Sequence, residues 1–146
     1  LSPRMRFDLT VNHFARDITL KKELEIYGEN FWRPYCHTSD IARACMVTLD
    51  ADESICCGQV FNVGATTENY TKKDIAELLL EMQPDADVRY VSRDEDPRDY
   101  KVSFEKVRTQ LGFEVTRKVP DGLREVRQAL ADSVYSDPFD SRYQNV

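Results

Sequence analysis

Apolar residues at Val11, Phe14, Ala15 and Ile18 recur at helical spacing behind Asp8, and predict an amphipathic helix over residues 9–22 with Asp8 as its N-cap. "LEIYG" (24–28) then predicts a short strand ended by a glycine, and "NFWRPYCHTS" (30–39) a loop. Thr38 or Ser39 is expected to cap the next helix, along which Ile41, Cys45 and Leu49 share one face to about residue 50. "GQVFNVG" (58–64) is a compact apolar run between glycines, the pattern of a strand covered on both faces. Thr71 and Asp74 form a short-armed capping box for a helix whose stripe is Ile75, Leu78, Leu79 and Met82, stopped by Pro84.

Farther on, "DVRYVSR" (87–93) alternates as a strand and "DEDPRDY" (94–100) reads as a loop. Ser103 opens a helix with Phe104, Val107 and Leu111 inward and Gly112 as its stop. "FEVTRKVP" is extended, and Pro120 starts a last helix that carries Leu123, Val126 and Leu130 on one face. The fold class expected is therefore α/β, or an α+β-like fragment of one, with few short strands and about five helices. Residues 1–132 form one compact unit, and 133–146 a polar, flexible tail whose aromatics show no period.

A chain of 146 residues can bury a core without metal or disulfides. No apolar run approaches the roughly 20 residues needed to cross a bilayer, so no membrane role is expected. The net charge of −6 is uneven: residues 1–50 hold seven basic and seven acidic groups, 51–100 five and twelve, and 101–146 eight and seven. Without a broad basic face the chain is a poor partner for nucleic acid, while a small phosphorylated ligand held by two or three arginines stays open. Cys36, Cys45, Cys56 and Cys57 have neither zinc-finger spacing nor a CxxC pair, and two are adjacent, which fits reduced thiols in a cytoplasmic protein. No signal peptide is seen, and the first residue is Leu1 rather than Met, so the natural start is expected elsewhere.

Several chemistries lack their residues. The five glycines fall singly at 28, 58, 64, 112 and 122, so no glycine-rich turn prepares a helix for a dinucleotide pyrophosphate. His13 and His37 have no third obvious ligand for zinc, and no G-x-S-x-G elbow occurs. What remains is two loop arginines, Arg33 and Arg98, whose planar forks suit bidentate binding of phosphate and could clamp a diphosphate from two sides. Taken singly, each would be a surface arginine paired with a carboxylate.

Order and spacing change that. "SPRMRFDLTVNHFAR", "LEIYGENFWRPYCHTSDIARA", "GQVFNVGATTENYTKKDIAELL" and "DPRDYKVSFEKVRTQLGFEV" together resemble the C-terminal part of an extended short-chain dehydrogenase/reductase, over residues 1 to about 130. That family comprises NAD-dependent nucleotide-sugar epimerases and dehydratases. The resemblance implies a parent with an N-terminal Rossmann domain that holds NAD or NADP and a Tyr-x-x-x-Lys pair for proton chemistry. Both are missing here, because Tyr70 is followed by Lys72 and Lys73 but has Asp74 at plus four. The chain alone is then expected to be inactive, with no catalytic, cofactor or metal residues, and to bind the nucleoside diphosphate of a nucleotide sugar.

By the same resemblance, Asn12 touches the diphosphate, Arg33 and Arg98 bind its phosphates, backbone near Ile26 and Tyr27 meets the base, and Tyr100 helps close the pocket. Tyr35 and His37 brace the loop. "FWRPY" lacks the acid that many relatives carry after the arginine, which leaves the substrate subfamily open. The alternatives are a nucleotide- or protein-binding module without catalysis, and a structural remnant whose exposed former interface favours a homo-oligomer.

Overall fold

The computed structural model describes residues 1–2, 4–92 and 99–145. Its elements run α1 (Thr10–Thr19), β1 (Leu24–Tyr27), β2 (Trp32–Pro34), α2 (Thr38–Asp50), the single turn α3 (Glu53–Cys56), β3 (Asn69–Thr71), α4 (Lys72–Met82), β4 (Val88–Val91), α5 (Glu105–Leu111) and α6 (Val119–Ala131). Among the described residues the strands make two small sheets. β1 pairs parallel with β4, Ile26 opposite Tyr90, and β2 pairs antiparallel with β3, Arg33 opposite Tyr70. This is an α/β fragment of helices with few short strands, as its sequence pattern predicts.

The main core forms where α1, α4 and α6 pack over β1. Phe7, Phe14, Ile18, Leu24, Ile26, Ile75, Leu79, Leu123 and Val126 are buried in it. A second cluster of Ala44, Phe104, Val107 and Phe113 ties α2 to α5. The α4 capping box is present in both directions, Asp74 N to Thr71 Oγ1 at 3.0 Å and Thr71 N to Asp74 Oδ2 at 2.7 Å.

Several expectations change. The first helix ends at Thr19 rather than residue 22, because Lys21 turns left-handed at φ 54°. Its N–H bonds Ile18 O at 3.1 Å and that of Lys22 bonds Asp17 O at 2.8 Å, which closes a Schellman end without glycine. Asp8 does not cap this helix; Leu9 holds the N-cap position with no side-chain bond, and Asp8 pairs with Arg6 instead.

The helix at 38 is capped by His37, not by Thr38 or Ser39: Ser39 N donates to His37 Nδ1 at 3.2 Å. Ile41, Cys45 and Leu49 share a face, but an exposed one, while Asp40 and Ala44 turn inward. "GQVFNVG" is not a strand. A strand needs a ladder, and no described strand lies beside it; Lys106 Nζ instead bonds Gln59 Oε1 and Val60 O, each at 2.9 Å.

The tail expected to be flexible folds back on the loop before α1, through Tyr135 and Tyr143 against Phe7 and Phe139 against Arg16. All four cysteines are unpaired. Thiol titration of the denatured chain should count four, and a count of two would mean a disulfide.

Candidate functional site

A cleft of about 670 Å³ opens between the segment that leads into α1, the strand β2 with the loop after it, and the start of α6. β2 is only three residues long, so its position depends on its flanks. Gly28 begins the turn from β1 at φ 59°, where a Cβ would lie 2.7 Å from the Phe31 ring. On the far side, Trp32 N donates to Asp99 Oδ1 at 2.8 Å, Tyr100 N approaches Trp32 O at 3.4 Å, and Lys101 Nζ sits 3.4 Å from the Trp32 ring centroid. Trp32 thus fastens residues 99–101 to β2.

Arg33 follows Trp32 and lines the cleft. Its Nη1 donates to Trp32 O at 2.7 Å, and its guanidinium carbon lies 5.3 Å from the exposed Tyr100 ring, which leaves the fork a fixed orientation and further N–H donors. Asn12 lines the same cleft, with its amide donating to Arg6 O at 2.9 Å. Arg33 and Asn12, far apart in sequence, are therefore brought together. Tyr100 joins them only through its stack on Arg33. Ile26 is buried in the main core, and Tyr27 O accepts from Lys72 Nζ at 2.5 Å, so this strand edge lies beside a lysine that also lines the cleft. Arg98 lies outside the described residues.

The floor of the cleft holds one group that the sequence reading missed, Glu68, beside Tyr35, Cys36 and His37 of the loop. Glu68, only 2% exposed, accepts from Val119 N at 2.9 Å and joins β3 to α6. Tyr35 N donates to Glu68 O at 2.9 Å; burial raises the Tyr35 hydroxyl's pKa, against the Thr10 contact and the Arg33 charge. Burial, with the Asp40 and Glu68 charges, pushes the Cys36 thiol up to about 11, which keeps it protonated and unreactive at neutral pH. His37 Nδ1 lies 3.2 Å from Ser39 N and caps α2, while Nε2 faces Glu125 Oε2 at 3.2 Å. Tyr35 and His37 brace the loop, one through the core and the other between α2 and α6.

No cluster of three or more histidine, cysteine, aspartate or glutamate side chains among the described residues could hold a metal ion. The starts of α2, α4 and α6 are already engaged by His37, by Thr71 with Asp74, and by Glu68 with Asp121, and none follows a glycine-rich turn.

Residues 3–64 match the model of the NAD dependent epimerase/dehydratase family. UDP-glucuronic acid decarboxylase 6 of Arabidopsis thaliana is 30% identical over 93 residues, 62% of this chain and 26% of that protein. Over these residues the chain is similar to NAD-dependent epimerases and dehydratases. Two solved structures share its fold. UDP-glucuronic acid 4-epimerase from Bacillus cereus, in complex with UDP-glucuronic acid and NAD, superposes with a TM-score of 0.76 at 22% identity over 92% of this chain and 43% of its own. The dTDP-glucose 4,6-dehydratase from Bacillus anthracis, in complex with NAD, gives 0.71 at 21% over 92% and 43%. The chain therefore spans about a quarter of the curated relative and less than half of each of these solved chains.

Proposed function

We propose that these residues are the nucleotide-sugar-binding portion of a larger NAD(P)-dependent epimerase or dehydratase, and that the cleft takes the nucleoside diphosphate. The observation that carries this reading is the convergence of Arg33 and Asn12 on one cleft of about 670 Å³, a volume in the range of small-molecule sites. Arg33 offers N–H donors to one phosphate and Asn12 an amide from the first turn of α1. Lys72 adds charge to the cleft lining, and Arg98, two positions before Tyr100, is the second phosphate-binding arginine of this reading. Hydride and proton transfer would belong to a glycine-rich domain beyond these residues, where NAD or NADP would bind.

The outer face of α2 supports such a larger protein, because Ile41 is 46%, Met46 59% and Leu49 78% exposed along one helix. No described helix is long and apolar enough to cross a membrane, and four unpaired thiols favour a reducing, cytoplasmic setting.

The test is calorimetric titration of the chain with UDP-glucuronic acid. Saturable binding is expected, and Arg33→Ala should raise Kd by about 1.5–3 kcal/mol, roughly ten- to hundredfold, the worth of a charge-assisted hydrogen bond. Arg33→Lys should recover only part of the loss, since a point charge lacks the fork. Unaltered affinity in Arg33→Ala with a lowered Tm would instead make the arginine a structural partner of Trp32 and Tyr100.

A further inference from the structure

The cleft wall formed by residues 4–9 is not regular structure, yet it is held from the far end of the chain. Phe7 N donates to Tyr143 O at 2.9 Å, Asn145 N to Asp8 Oδ2 at 3.3 Å, and Arg4 Nη2 to Asn145 Oδ1 at 3.1 Å. The rings agree with the backbone. Phe7 meets Tyr135 edge-on at 5.2 Å and Tyr143 at 5.6 Å between centroids, and the two tyrosines meet each other at 5.5 Å. The same short segment carries the Arg6 carbonyl that orients the Asn12 amide. It also carries Asp8, which Arg6 and Asn145 engage while the N-terminus of α1 stays without a side-chain cap. Tyr143 and Asn145 are not among the residues that line the cleft. Whatever they do for a ligand they do through the wall.

We propose that residues 141–145 are a strap that holds the cleft wall, residues 4–12, in the geometry that binds a nucleoside diphosphate. The inference rests on the reading of the cleft given above. A wall left loose would lose its freedom only on binding, and that loss would lower affinity; the strap orders it beforehand. Tyr143 and Asn145 are positioning residues, with no contact to ligand required.

Three chains test this against the intact one: a deletion of residues 141–146, Tyr143→Phe, and Asn145→Pro. The proline variant removes the N–H donor to Asp8 and the amide that Arg4 holds, but keeps the ring cluster, so it serves if the deletion does not fold. Amide exchange in the free protein reads the strap directly. Loss of the strap should speed exchange at Phe7, Asp8 and the first turn of α1, and leave the middle of α4 as protected as before.

Titration with UDP, well below every melting transition, reads the consequence. Kd should rise roughly tenfold in the deletion and less in Asn145→Pro, with stoichiometry unchanged, while Tyr143→Phe, which keeps ring and carbonyl, binds as the intact chain does. Unaltered exchange over residues 4–12, or an unaltered Kd in the strapless chain, overturns the proposal. So does equal loosening of α4, which would make the tail a general stabiliser. An intact chain that binds no UDP sinks the functional reading instead, and the exchange measurement then still decides whether the strap exists.

Discussion

Replacing Asp40 by alanine should cost about 3–5 kcal/mol of folding stability, a large part of the roughly 5–15 kcal/mol that holds a domain together. The side chain is fully buried on the inner face of α2, where its carboxylate collects donors from the segment between α5 and α6. Thr116 N approaches both oxygens at 3.1 and 3.0 Å, Thr116 Oγ1 lies at 2.9 Å, Arg117 N at 2.9 Å and Arg43 Nη1 at 2.5 Å. Alanine would leave the Thr116 and Arg117 N–H donors without their carboxylate, and asparagine would set two N–H groups against them.

Urea unfolding of Asp40→Ala and Asp40→Asn tests the claim. A loss under 1 kcal/mol in both would mean that water replaces the carboxylate without penalty. The pH dependence carries the same sign. Burial raises the Asp40 pKa, but the bonds from Arg117 N, Thr116 and Arg43 outweigh it and the net shift is downward. Asp17 and Asp121 are lowered too. A depressed carboxylate stabilises the fold above its unfolded pKa, about 3.9 for aspartate, and that contribution disappears as pH falls through the lower folded value. Stability should therefore drop steeply below about pH 4, and less steeply in Asp40→Ala.

How much of this was legible follows from what each element depends on. α4, α5 and α6 depend on local signals, a capping box, a glycine stop at φ 62° and a proline in the first turn, and the sequence shows all of them. The cap of α2 depends on an imidazole that Glu125 holds from another helix, so the letters favour the wrong hydroxyl. The apolar run at 58–64 has the composition of a buried strand, but pairing is a property of neighbours and not of composition. Three-residue strands such as β2 and β3 are too short for any period to register.

The site divides in the same way. Arg33 and Asn12 stand in motifs whose order points to them, and the fold brings both to one cleft. Glu68 lies in no pattern that distinguishes it from a surface glutamate, and only its burial beneath Tyr35 and Val119 shows that it fixes the floor. Tyr135, Phe139 and Tyr143 lacked a period because their partners are Phe7 and Arg16, more than a hundred residues away in sequence.

That long-range dependence makes Phe7→Ala the most informative core substitution. Phe7 is 1% exposed, and its loss should cost about 3–5 kcal/mol, against about 2–5 kcal/mol for Leu79→Ala on α4, which is equally buried. The two should differ in where the damage goes. Leu79 packs among aliphatic side chains at the centre of the main core, so its cavity should relax within the helices and leave the tail in place. Phe7 is the surface on which Tyr135 and Tyr143 rest, and the Arg16 guanidinium that faces Phe139 at 4.3 Å also faces Phe7 at 5.9 Å.

Near-ultraviolet circular dichroism under native conditions should therefore lose tyrosine signal in Phe7→Ala and keep it in Leu79→Ala, with the Trp32 band unchanged in both as an internal reference. If the two variants lose stability and tyrosine signal alike, the ring cluster is part of the general core rather than a separate anchor. If only Phe7→Ala loses the signal, the tail is fastened at one point, and that point is the wall of the cleft.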